Sequence, residues 1–221
     1  MDYSFNKGLE ELEFLSKEPV DSKRLYFVNE KDKCSNPYIY LALEKAEKYG
    51  VDAVYFRIFE SQSPIPQIYI YDNTTATIIE QTISERQRRI WNASLVPLIY
   101  VFTNTEVLLF NSYNQPKFEN GRVQYSIFDT IEFAAEIDKQ LKLKEYSARC
   151  FDNGSFWERE ENQKKFKVSK SAYEKLITEL RNIRKKLLEA SKIIKGNKPA
   201  KDEQKKIIHK LLVMSIFLKY L

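Results

Sequence analysis

The alternation of apolar and polar positions is clearest between residues 51 and 111. "VDAVYFRIFE" and "PQIYIYDN" are rich in Val, Ile, Phe and Tyr, are joined by a Pro-containing turn, and predict strands over 51–59 and 67–72. "VPLIYVFTNTEVLLFNS" predicts a second pair of strands around a turn at Thr103-Asn104-Thr105. Helical spacing takes over elsewhere. In "NPYIYLALEKAEKYG", Asn36 suits the cap, Pro37 the first turn, and Gly50 the exit. Its predicted inner side is Tyr38, Leu41, Ala42, Lys45 and Ala46. "ATIIEQTISERQRRIWNAS" places Ile79, Ile83 and Ile90 on an apolar side, and "SIFDTIEFAAEIDKQLK" reads as a further helix. A short amphipathic helix stopped by Pro19 opens the chain, "SKRLYFVNE" reads as a strand or extended link, and 112–124 as a polar loop. The order helix, strand, strand, helix, strand, strand, helix predicts an α/β unit with a mixed sheet flanked by helices.

The pattern changes after residue 146. "FDNGSFWE" is dense in turn residues and aromatics, and reads as a wedge at a domain boundary. Tyr173, Leu176, Leu180, Ile183, Leu187 and Ala190 then fall on one helical face. "QKKIIHKLLVMSIFLKYL" becomes apolar all round near its end, which requires neighbours on every side. His209 lies there among Ile207, Ile208, Leu211 and Leu212 and is read as a packing residue. The expected domains are an α/β unit over 1–146 and a helical connector over 147–221, the front piece of a longer protein.

Composition narrows the function classes. Five glycines in 221 residues provide neither GxGxxG nor GxxxxGK[ST], so a Gly-rich phosphate loop is excluded. Cys34 and Cys150 have no CxxC spacing, against a zinc site or a disulfide framework. No apolar run is long enough to span a bilayer, and no signal peptide opens the chain; a cytoplasmic protein is expected. The net charge of +5 conceals a split. Residues 155–221 hold 18 Lys+Arg against 8 Asp+Glu, and the first 154 hold 18 against 23. The basic end suggests an anionic partner, with a solvated helical face as the alternative.

The candidate chemistry lies at the strand ends. Asp52 opens the first strand and Asp72 closes the second. Two such carboxylates are how many nucleases hold Mg²⁺, which activates water and stabilises the attacked phosphate. Glu44, on the preceding helix, is available as a third ligand. A cleaving site also needs a lysine two residues after the second acid, and that position is Thr74. No Lys or Arg lies between residues 58 and 85 to replace it. Three readings stay open: an active Mg²⁺-dependent endonuclease, a nuclease-like scaffold that has lost catalysis, and strand-end acids serving only in turns. Gln87 and Trp91 stand one helical turn apart. Arg86, Arg88 and Arg89, with Arg181, Arg184, Lys185 and Lys186 further on, are the candidate phosphate contacts.

Glu44, "VDAVYFR", "PQIYIYDNT", "RRIWNASLVPLIYVFTNTEVLLFN", "SARCFDNGSFWE" and "KLLVMSIFLKYL" together resemble a known pattern. The layout is similar to the PD-(D/E)XK restriction-endonuclease fold. More narrowly, residues 20–221 resemble the N-terminal region of type IIG-like restriction–modification N6-adenine DNA methyltransferases. The resemblance implies a restriction-endonuclease-like domain and a helical connector leading to a downstream methyltransferase domain. It implies double-stranded DNA as partner, with S-adenosylmethionine bound only by that downstream domain. Mg²⁺ at Asp52 and Asp72 follows only if the nuclease site is active, and Thr74 in place of the lysine marks that site as degenerate. "NPY" at 36–38 lacks one proline of the methyltransferase N-P-P-Y loop and is read as a helix start.

Overall fold

The computed structural model describes residues 4–15, 24–59, 62–93, 95–119, 122–124, 126–166, 172–191 and 201–220. It divides into two units, Met1–Ala172 and Tyr173–Leu221. The predicted stop at Pro19 lies outside the described residues.

The first unit is built on a six-stranded sheet in the order β1-β2-β3-β4-β5-β8. Its strands are β1 (Leu25–Phe27), β2 (Ala53–Arg57), β3 (Ile65–Asp72), β4 (Leu98–Phe102), β5 (Glu106–Asn111) and β8 (Asp129–Glu132). β3 and β4 run parallel, with Asp72 opposite Phe102, and the other neighbours run antiparallel. A separate ribbon, β6 (Lys117–Glu119) with β7 (Arg122–Gln124), forms where the sequence predicted a polar loop.

Both faces of the sheet are covered, which is why its central strands read as nearly continuous apolar runs. Tyr69, Tyr71, Ile99 and Val101 face α2 (Pro37–Glu47) and α3 (Glu80–Ala93). Ile68, Ile70, Tyr100 and Phe102 face α1 (Phe5–Glu11) and the short helices α4 (Glu136–Tyr146), α5 (Ala148–Asp152), α6 (Ser155–Glu158) and α7 (Glu160–Lys165). Asn36 caps α2 as expected, accepting from the Tyr38 and Ile39 amides at 3.0 and 3.3 Å.

Four expectations need correction. The buried stripe of α2 is Ile39, Leu43 and Ala46, while Tyr38 and Leu41 are 59% and 51% exposed. That stripe is also helical in period, but rotated by one residue. Ile79 precedes α3 and is exposed; Ile83 and Ile90 carry the contact. The stretch 129–132 is the edge strand β8 rather than a helix. β5 presents an open edge there, and Ile131 opposite Val107 buries its side chain. Residues 147–166 pack on the sheet instead of leading away from it: Phe151 and Phe156 are fully buried among strand residues. Asp152 accepts from Arg24 at 2.7 Å and from the Tyr55 hydroxyl at 2.5 Å.

The second unit contains α8 (Ala172–Ser191) and α9 (Lys201–Tyr220), as the periodicity predicted. Its side chains are more open than the pattern implied, with Leu176 and Ile183 each 44% exposed. The apolar turn at the end of α9 has side chains outside those described.

A chain ending after residue 146 is therefore expected to lose the cooperative unfolding transition that a chain ending after residue 172 keeps, read by urea titration. In the longer chain, Phe156→Ala should cost about 3–5 kcal/mol, the usual penalty for emptying a buried aromatic site.

Candidate functional site

An antiparallel hairpin brings the start of one strand beside the end of the next, so the β2–β3 pairing places Asp52 and Asp72 at the same end of the sheet. Asp52 is held by its backbone: its amide donates to the Ile70 carbonyl at 3.0 Å and its carbonyl accepts from the Val28 amide at 2.9 Å. Its carboxylate Oδ2 accepts from the Asp72 amide at 2.8 Å. Both acids line one open cleft of about 400 Å³, with Phe5 from α1, Phe27 and Asn29 from the β1 end, and Glu47 from α2.

The "DNT" loop is engaged in its own turn. Asp72 Oδ1 accepts from both the Thr74 amide at 3.0 Å and the Thr74 hydroxyl at 2.6 Å. Asn73 is buried and clamps Ile78, accepting from its amide at 2.7 Å and donating to its carbonyl at 3.0 Å. Where a lysine ammonium would stand in a cleaving site, a neutral hydroxyl donates to the second acid.

The surroundings of Asp52 raise its carboxyl above the ordinary value. Close-packed protein on its inner side is the largest cause, although its outer side is open to the cleft. The Asp72 amide opposes that rise, the Asp72 carboxylate adds to it, and the Arg86 guanidinium again opposes it. Arg86 reaches this position from α3. Its guanidinium carbon lies 4.8 Å from the centre of the Tyr71 ring, against Gly50. A Cβ at Gly50 would come within 2.9 Å of Arg86 Nη2, and Gly50 has φ +64°, so glycine is required there on both counts.

The three arginines of α3 do not act as one surface. Arg86 turns inward and Arg89 donates to the Lys48 carbonyl at 3.0 Å, so both settle at the negative C-terminal end of α2. Arg88 is exposed. Gln87 is buried, pairing with the backbone of Ser126 through both amide atoms at 3.2 and 3.4 Å. Glu44 is half-buried on α2 and does not line the cleft. Glu47, one turn further on, does so while ion-paired with Lys31. The sequence carried this signal in the acid nearer the strand. Among the described residues no group of three His, Cys, Asp or Glu is placed to hold a metal ion. The donor set fits at most a hydrated Mg²⁺ held by Asp52 and Asp72 alone, since this ion binds through one or two carboxylates and keeps its waters.

In the second unit Arg181, Arg184, Lys185 and Lys186 are all exposed on α8. Arg184 shares a groove with Lys205, Lys206, His209, Lys210 and Val213 of α9. His209 is exposed and Ile208 is the buried neighbour, which corrects the packing role expected for the histidine. Among the described residues no helix is long and apolar enough to cross a membrane.

No family model, no curated protein and no solved structure matches this chain. What is established is a mixed α/β unit with an acidic cleft at one end of its sheet, and a helical C-terminal unit with a basic groove.

A carboxyl whose folded pKa is raised holds its proton more tightly in the native state, so it loses stability as pH rises from its unfolded value of 3.8 through its folded value. Asp52→Asn keeps an oxygen for the Asp72 amide and removes that loss. Thermal melts should show equal stability near pH 3 and a gain for the variant at pH 7, below about 1 kcal/mol because solvent screens the open side.

Proposed function

We propose that this chain is the DNA-positioning module of a restriction–modification adenine-N6 DNA methyltransferase. It combines a restriction-endonuclease-like domain with a degenerate cleavage centre and a basic helical unit. Methyl transfer then belongs to a separate domain or subunit that binds S-adenosylmethionine. The sheet with two strand-end acids facing one cleft supports the endonuclease-like reading. A single observation carries the loss of cleavage: Asp72 spends one oxygen on both donors of Thr74.

Phosphodiester hydrolysis needs a metal-activated water and positive charge against the developing anion. Asp52 and Asp72 would hold Mg²⁺, which supplies that water. Thr74 supplies no charge, and losing one such group commonly costs about 10²–10³ in rate. The Arg86 guanidinium supports a second reading, an active Mg²⁺-dependent endonuclease, because it contributes positive potential at Asp52 from another element.

Supercoiled plasmid incubated with the chain and Mg²⁺ or Mn²⁺ separates the two. The expected result is no nicking above background. Nicking that disappears in Asp72→Ala and persists in the surface control Lys144→Ala would establish the active endonuclease instead.

A further inference from the structure

The second unit concentrates charge where nothing in its own fold calls for it. Residues 173–221 hold 13 Lys+Arg against 5 Asp+Glu. In the groove between α8 and α9, Arg184 meets Lys205, Lys206, His209 and Lys210, with Val213 as the one aliphatic lining residue. Lys206 and Lys210 stand one turn apart, about 6 Å along the axis, and like charges at that spacing destabilise a helix. Among the described residues, ion pairing occupies only Lys205 of this set, through Asp202 at 3.0 Å. The arrangement is one that an anion with repeated charges would relieve.

Resting on the reading of the chain as a DNA-associated module, we infer that this groove seats the phosphate backbone of duplex DNA without reading its sequence. A duplex presents one charge per about 1.7 Å of axis, enough to meet cations from both helices at once. The lining has no Phe, Tyr or Trp ring on which unpaired bases would stack, which disfavours a single strand. An acidic protein segment is the competing occupant of such a groove, and the poly-L-glutamate competition below separates the two. Lys205, Lys206, His209 and Lys210 thus join Arg184 as phosphate contacts, and Arg181, Lys185 and Lys186 flank them on α8.

The test is fluorescence anisotropy of the full chain with two fluorescein-labelled 24-base-pair duplexes of unrelated sequence, between 50 and 200 mM NaCl. Both duplexes should bind equally, with log affinity falling against log salt at a slope of roughly −3 to −5. The double variant Lys206→Glu/Lys210→Glu should weaken binding at least about tenfold at 50 mM and flatten the slope by roughly 2. Lys206→Gln/Lys210→Gln should fall between, and far-UV circular dichroism should show the helices of both variants intact. Wild-type affinity in the double reversal, or a loss produced instead by Arg88→Glu, overturns this seat while the DNA-positioning reading stands. Poly-L-glutamate competing as well as duplex at equal charge also overturns it, assigning the groove to acidic proteins. Absence of duplex binding by the wild-type chain at 50 mM removes the wider reading as well.

Discussion

Burying both faces of the sheet is the constraint from which the rest of the first unit follows. Ile68 and Ile70 pack one way from β3 and Tyr69 and Tyr71 the other, so neither face can present polar chemistry. The large tyrosines then need partners for their hydroxyls, since an unpaired buried polar group is costly. Tyr71, Tyr100 and Tyr55 find one at the end of a flanking helix. Tyr71 donates to the Tyr49 carbonyl just past α2 at 3.1 Å, Tyr100 to the Tyr146 carbonyl ending α4 at 3.2 Å, and Tyr55 to Asp152 ending α5 at 2.5 Å. Burial raises all three phenols above their ordinary range and keeps them as donors. The sheet thereby fixes where the helices stop on both sides.

A sheet closed on its faces leaves its ends for function. At one end, α2 stops, β2 begins and β3 finishes within a few residues of each other in space. The Tyr71 hydroxyl and the Arg86 and Arg89 guanidiniums all gather at the end of α2. These contacts position the chain that carries Glu47, Gly50 and Asp52. The cleft is thus shaped by the same interactions that terminate the helix, and its acids are presented by rigid strand ends rather than by a loose loop. The Asp72–Asn73–Thr74 turn adds its own hydrogen bonds: the Asp72 amide holds the Asp52 carboxylate, while Thr74 holds that of Asp72.

Much of this was legible in the sequence, for local reasons. Alternation over 67–72 and 98–111 predicts strands at any register, and hairpin geometry alone places Asp52 near Asp72. The inner face of α2 was not legible, because Tyr38–Leu41 and Ile39–Leu43 both repeat at helical spacing and only the sheet decides between them. β8 was missed because Thr130 and Ile131 sit beside a helical pattern, and strand formation there depends on the free edge of β5. The destination of Phe151 and Phe156 was equally hidden: an aromatic cluster announces burial without saying against what. Arg86 lies one residue beyond the cation-free stretch 58–85, and its place in the fold depends on Gly50 having no side chain. His209 was read from its sequence neighbours, whereas one step around α9 separates the buried Ile208 from the exposed histidine.

A charge at Asp52 is unfavourable for the fold alone. Asp52 could serve its backbone contact as an asparagine, since a neutral carbonyl oxygen would accept the Asp72 amide equally well. As an aspartate it carries a charge that burial and the neighbouring carboxylate both disfavour, and the Arg86 guanidinium offsets that only in part. Asp72 differs, because a carboxylate at a strand end with two donors from Thr74 is a stable turn in its own right. The two acids therefore divide: turn formation accounts for Asp72, but the fold alone does not account for a charge at Asp52. A role in meeting cations or ordered water at the cleft would account for it.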